Sequence, residues 1–187
     1  LYPPAPPRGY RCEAFEPFLF VVSRLAPLKR IDLILNALAT PAAQGVRCVI
    51  AGEGEQAASL TALARRLQLE DRVSFVGRTT DEALVDYLGR CRAVAFVPLQ
   101  EDYGFVTAEA FASGKPVITT VDSGGPAELV SDGTNGRIVT PTASALGEVI
   151  AAVMQDPSGA ERLGRAALAT AEGMRWSDVA ATLGRPL

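Results

Sequence analysis

The chain has 187 residues, 18 basic and 21 acidic side chains, a formal net charge of -3 and a 48% hydrophobic share. At roughly 100–200 residues per domain, this is one globular domain with a sizeable core rather than a disordered chain. No basic excess is available to displace counterions from a phosphate backbone, which argues against nucleic acid as a partner. No apolar run approaches the ~20 residues of a transmembrane segment.

Histidine is absent, so neither a Ser-His-Asp nor a Cys-His mechanism can be assembled from this chain. Cys12, Cys48 and Cys91 are odd in number, far apart and without a CxxC, so neither a disulfide framework nor a zinc site is expected. Reduced cytosol is the expected compartment. Cys48, inside the apolar run 46–51, reads as a buried small hydrophobe. Acid–base work falls to carboxylates, lysine or a partner.

Residues 1–17 open with a proline-rich, non-periodic stretch, which reads as a linker and not as a signal peptide. Residues 18–187 form the domain proper. Apolar runs at 18–23, 46–51, 73–76, 93–97, 117–120 and 137–139 read as strands. Helical patterns fall between them at 31–39, 57–67, 81–90, 105–113 and 126–130, and follow them at 145–154, 160–171 and 177–183. Apolar strands each followed by a helix predict an α/β fold, a doubly wound Rossmann-like parallel sheet of about six strands with helices on both faces. In such sheets ligands bind outside the carboxyl ends of the strands.

The loops at those ends hold the candidate chemistry. After the first strand, Ser23-Arg24-Leu25-Ala26-Pro27-Leu28-Lys29-Arg30 sets three cations before a helix, a fit for an anion or simply a solvated turn. After the second, Gly52-Glu53-Gly54-Glu55-Gln56-Ala57 matches GxGxxA, but Glu53 and Glu55 would repel a pyrophosphate. After the third, Thr79 and Glu82 predict a capping box beside Gly77 and Arg78, with Arg78 a candidate for ligand contact.

The fourth loop is the most informative. Glu101 and Asp102 precede Gly104, Phe105 and Val106, and then an almost wholly apolar helix carries Glu109. A buried carboxylate needs a partner. That partner is either a group inside the domain, such as Arg24 or Lys29, or a ligand with two adjacent hydroxyls such as a ribose. The amides of Phe105 and Val106 are free at the helix start, and Gly104 permits close approach of a ligand. The fifth loop, Gly124-Gly125-Pro126-Ala127-Glu128, is a tight turn into a helix, and Asn135-Gly136 a turn signal.

In this order the motifs resemble those of the family 4 (group 1) retaining glycosyltransferases, whose GT-B fold faces two Rossmann-like domains. The matching pieces are Ser23-Arg24-Leu25 with Lys29, Gly52-Glu53-Gly54-Glu55, Val76-Gly77, Glu101 and Glu109, Gly124 to Glu128, Asn135-Gly136 and Trp176-Ser177. The resemblance covers nearly the whole chain and corresponds to the carboxy-terminal, nucleotide-sugar-binding half. It implies that Arg24 and Lys29, with Ser23 beside them, neutralise a donor diphosphate, and that Glu109 holds ribose hydroxyls. Glu101 would hold sugar hydroxyls, and the amides of Phe105 and Val106, beside Gly104, would meet phosphate or sugar. Gly77 and Arg78 would contact the base.

The resemblance further implies no metal and no cofactor beyond the donor. Ser23 stands where many relatives have Gly, and Tyr103 where Phe is commoner. The family's amino-terminal acceptor domain is missing, so the chain is expected to be a piece of a larger enzyme and inactive alone. Residues 184–187 fall about where relatives run a helix back to that domain. The full enzyme would be cytoplasmic, compatible with peripheral association at the inner membrane face. The alternatives are a Rossmann-type oxidoreductase built on the 52–57 loop and a non-catalytic interaction module.

Overall fold

The computed structural model describes residues 2–183, so the expectation made for residues 184–187 lies outside the described residues. The strands are β1 (Glu16–Val22), β2 (Arg47–Ala51), β3 (Val73–Gly77), β4 (Cys91–Ala95), β5 (Val117–Thr120) and β6 (Gly136–Val139). They form one six-stranded sheet in the order β3-β2-β1-β4-β5-β6, with every pairing parallel. The order reverses between β1 and β4, which opens a crevice at the carboxyl ends of those strands.

The helices are α1 (Ile31–Leu38), α2 (Ala57–Arg66), α3 (Asp81–Arg90), α4 (Phe105–Ala112), α5 (Gly125–Leu129), α6 (Ala143–Gln155), α7 (Pro157–Glu172) and α8 (Trp176–Leu183). Alternation along β1 builds the two layers. Leu19 and Val21 pack with Ile34 of α1, Leu60 of α2 and Ile150 of α6. Phe18 and Phe20 pack on the other face with Leu88 of α3, Phe111 of α4 and Ala167 of α7. Both faces are thus covered, which is why the central strands read as unbroken apolar runs.

Every expected element forms, and the shifted boundaries have local causes. β1 starts at Glu16, earlier than expected, where Glu16 registers against Cys91 and accepts from Arg90 Nε at 2.8 Å. β4 ends at Ala95 and not at residue 97, because the Val97 carbonyl accepts from Arg30 Nε at 2.8 Å. The expected Thr79 cap is corrected. Helix α3 starts at Asp81 as expected, but Thr80 is the N-cap, accepting from the Ala83 amide at 3.2 Å. Thr79 is left to line a cleft.

Residues 2–15 carry no regular element but lie against the body. The amides of Glu13 and Ala14 donate to Gly89 O at 2.8 and 3.1 Å. The fully buried Lys115 donates to Ala14 O and sits 3.8 Å from the centroid of the Phe15 ring. Cys48 is buried as expected, and burial pushes its thiol up to about 12. Among the described residues, no helix is long and apolar enough to cross a membrane.

Candidate functional site

The β1–α1 and β2–α2 loops are built onto each other. The Leu25 amide donates to Glu53 O at 2.8 Å and the Gln56 amide to Leu25 O at 3.0 Å. Such contact leaves no room for side chains. A Cβ on Gly52, at φ +138, would stand 1.8 Å from Ser23 O, and one on Gly54 would stand 2.2 Å from Leu25 O. The glycines of the GxGxxA match therefore serve loop-on-loop packing and not a pyrophosphate cradle. Glu53 and Glu55 are exposed, and Glu55 lies 3.4 Å from Arg24. This removes the structural basis of the dinucleotide reading.

Two open clefts lie side by side above these loops. One, of about 450 Å³, is lined by Ser23, Arg24, Gly52, Arg78 and Thr79. The other, of about 410 Å³, is lined by Arg24, Lys29, Glu55, Gln100 and Glu101. Arg24 belongs to both and is exposed over 73% of its side chain, so its charge is available to a ligand. Arg78 is exposed and follows Gly77, whose φ of +68 and empty surroundings leave the backbone open to approach.

In the second cleft Lys29, at the end of the 3-10 turn Pro27–Lys29, forms an ion pair with Glu101. Its ammonium stands 5.7 Å from the Phe96 ring centroid. The adjoining loop fixes the backbone of Glu101. The Glu101 amide donates to Ser123 O at 3.0 Å, and the Gly125 amide donates to Glu101 O at 2.8 Å. A Cβ at Gly124 would come within 2.4 Å of Glu101 O, which accounts for the paired glycines.

Arg30, the third cation of the first loop, is not free for an anion. It forms a bidentate pair with Asp122, at 2.8 Å from each oxygen, and donates to Thr120 Oγ1, Val97 O and Pro98 O. This pair holds the Asp122 carboxyl below the usual range.

Helix α4 starts from Gly104, whose φ of +74 is left-handed and whose Cβ would lie 2.6 Å from the Phe96 ring. Among the described residues, no backbone carbonyl accepts from the amides of Phe105 or Val106, as expected for a first helical turn. Phe105 itself is exposed at the rim.

Glu109 is buried, as the apolar pattern of its helix required. Its internal partner is neither Arg24 nor Lys29. Arg8 and Tyr10 of the leading segment both donate to Glu109 Oε1, Tyr10 at 3.0 Å, and Arg8 also reaches Asp81 at 3.0 Å. Lys29 pairs with Glu101 instead, and Arg24 keeps an exposed contact with Glu55. Among the described residues, no protein donor reaches Glu109 Oε2. Burial pushes the Glu109 carboxyl up, and Tyr10 and Arg8 oppose that rise. Nothing periodic marks Arg8 and Tyr10 in the sequence. The only signal is a buried carboxylate that has to find a donor somewhere.

The structure thus brings Arg24, Lys29 and Glu101 into one cleft at the carboxyl edge of a Rossmann-like sheet, with Ser23 and Arg78 in the neighbouring one, whereas Glu109 and the start of α4 line neither cleft. Residues 13–170 match the family model for glycosyl transferases, group 1. The chain belongs to that family. It is 32% identical over 175 residues to the D-inositol 3-phosphate glycosyltransferase of Nocardia farcinica, covering 88% of this chain and 39% of that protein. A glycogen synthase of Mycobacterium tuberculosis is 34% identical over 66% of this chain, which spans 30% of that relative.

Among solved structures, Anabaena Alr3699/HepE in complex with UDP and glucose superimposes with a TM-score of 0.78 at 29% identity, over 89% of this chain and 48% of HepE. TarM of S. aureus, at 23% identity, shows the same fold with a TM-score of 0.82 over 96% of this chain and 36% of its own. The chain thus spans less than half the length of these relatives.

Proposed function

We propose that this chain is the donor-binding half of a retaining glycosyltransferase, which moves a hexosyl group from a nucleoside-diphosphate sugar to an acceptor hydroxyl. The observation that carries the reading is that Arg24, Lys29 and Glu101 converge on one cleft at the carboxyl edge of the sheet. HepE, of the same fold, holds UDP and glucose.

The donor diphosphate lies against Arg24 and Lys29, with the amides of Phe105 and Val106 offering further donors. Glu109 accepts from the ribose hydroxyls through Oε2, or through both oxygens once Arg8 moves aside. Ser23, Gly77 and Arg78 form the wall against which the base packs, and Gly104 lets the sugar approach the helix start. Glu101 accepts from sugar hydroxyls and orients the anomeric carbon, and we assign it no nucleophilic role.

In the transfer the bond from anomeric carbon to diphosphate oxygen breaks while the acceptor oxygen bonds to the same face. The acceptor proton passes to the departing diphosphate, and Arg24 and Lys29 stabilise the negative charge that develops there. Positive charge from the chain itself serves the diphosphate, so no metal and no further cofactor enters this scheme. The opposing wall of the cleft, with the acceptor, belongs to an amino-terminal domain outside these residues. The free Cys12, Cys48 and Cys91 fit the reducing cytoplasm, where the full enzyme would work free or at the inner membrane face.

A thermal-shift panel of UDP-, GDP- and ADP-glucose against NAD and NADP tests the proposal. At least one nucleoside-diphosphate sugar should raise the melting temperature, and the nicotinamides should not. Stabilisation by NAD alone would reverse the assignment. Unchanged melting with every nucleotide would favour an interaction module.

A further inference from the structure

Arg30 occupies a position where the backbone asks for glycine. Its φ of 50 and ψ of 41 are left-handed, a region that carries a steric cost for a residue with a side chain. The guanidinium offsets that cost with five hydrogen bonds, all to the ends of β4 and β5. All three nitrogens of the planar fork are engaged, bidentate on Asp122 through Nη1 and Nη2, with Nη2 shared among Asp122, Thr120 and Pro98 O, and Nε on Val97 O. What it joins is specific. Lys29 is the preceding residue, Pro98 opens the loop that carries Glu101, and Asp122 begins the loop whose Ser123 and Gly125 hold the Glu101 backbone.

We infer that Arg30, with Asp122, is a positioning residue that fixes the separation between Lys29 and Glu101, the diphosphate and sugar contacts of the donor site. The inference deepens the donor-site reading and rests on it for the nature of the ligand. Without the clasp, the 3-10 turn carrying Lys29 is tied to the β4 loop at the backbone by the Leu99 amide on Leu28 O, at 2.8 Å. The remaining tie is the Lys29–Glu101 ion pair, which a bound diphosphate competes for, so the ammonium then has no fixed backbone behind it. A phosphate then meets a mobile cation, and the charge-assisted contact loses its alignment.

The decisive variant is Arg30→Gly, which removes the guanidinium while suiting the left-handed backbone, so folding is least disturbed. Arg30→Lys keeps the charge but loses the fork, and Asp122→Asn loses the bidentate partner. Hydrogen exchange in the free protein is read first. The amides of Leu99, Gln100 and Glu101 should exchange at least several-fold faster in Arg30→Gly than in the wild type. Titrations with UDP and uridine, and with GDP and guanosine in parallel, are read second.

Diphosphate affinity should fall roughly tenfold or more in Arg30→Gly, with the nucleoside unchanged within about twofold and Arg30→Lys only partly restored. Asp122→Asn should follow the glycine variant. Unaltered exchange at residues 99–101, or equal losses for nucleoside and diphosphate, would overturn the positioning role. A wild-type chain that binds no nucleotide would instead refute the donor-site reading, and the exchange result would still decide whether the clasp exists.

Discussion

Glu109 is a carboxylate whose burial opposes its charge, and this gives its titration a definite sign. Its carboxyl is raised above the ordinary 4.5, so the folded chain holds the proton more tightly than the unfolded one. The group's contribution to stability should therefore rise as pH falls from neutral through the raised value, and level off below the ordinary one. Ribose binding needs the ionised form, so nucleoside affinity should fall over the same window. Glu109→Gln should flatten both dependences, leave the melting temperature at pH 7 unchanged or higher, and weaken nucleoside binding. A large loss of stability in that variant would show that the ion pair with Arg8 outweighs burial. Arg24 and Lys29 act on a different part of the ligand. Arg24→Ala and Lys29→Ala should each weaken diphosphate binding by roughly tenfold, about 1.4 kcal/mol, and hardly touch the nucleoside. Calorimetric titration of both ligands separates these outcomes, and equal losses would make the two cations structural.

At the scale of the elements, the loops above the sheet lean on one another, and their glycines report this differently. Gly52→Ala places a Cβ against the Ser23 carbonyl at a φ of +138, so it should cost about 2 kcal/mol or more in urea unfolding. Gly77→Ala meets only open space at φ +68 and should cost about 1 kcal/mol, while weakening binding if the base packs there. Similar costs for both would mean that the Gly52–Ser23 approach is not tight. The same contrast between local and cross-loop contacts decides what is legible in the sequence. Strands such as Val117–Thr120, buried throughout, announce themselves by unbroken apolarity, and α4 by an apolar run that isolates Glu109. Lys29 and Glu101 are legible as site residues because each follows a strand end. Their mutual pairing is not, nor is Arg30's withdrawal into the Asp122 pair, since both depend on contacts across distant loops. Arg8 and Tyr10 are invisible for a stronger reason. They lie in an aperiodic, proline-rich stretch, and only tertiary packing brings it over α4.

At the scale of the whole molecule, the chain spans less than half the length of its relatives. Transfer requires an acceptor hydroxyl held against the anomeric carbon, and positioning of that kind supplies roughly 7–11 kcal/mol of barrier reduction. The chain by itself is therefore expected to bind donor without useful transfer. Joining it to an amino-terminal domain of its own family should yield turnover that Glu101→Ala reduces more than it reduces nucleotide affinity. Product assays with a labelled donor check this, and robust transfer by the 187-residue chain alone would contradict it. The claim beneath all of these expectations is that the carboxyl edge of the sheet seats a nucleoside-diphosphate sugar. A crystal structure of the chain with the best-binding nucleotide sugar tests it most directly. The predicted result is a diphosphate against Arg24, Lys29 and the start of α4, with ribose hydroxyls on Glu109 and the sugar beside Glu101. A diphosphate seated in the 52–57 loop, or one remote from Lys29 and Glu109 altogether, would contradict it.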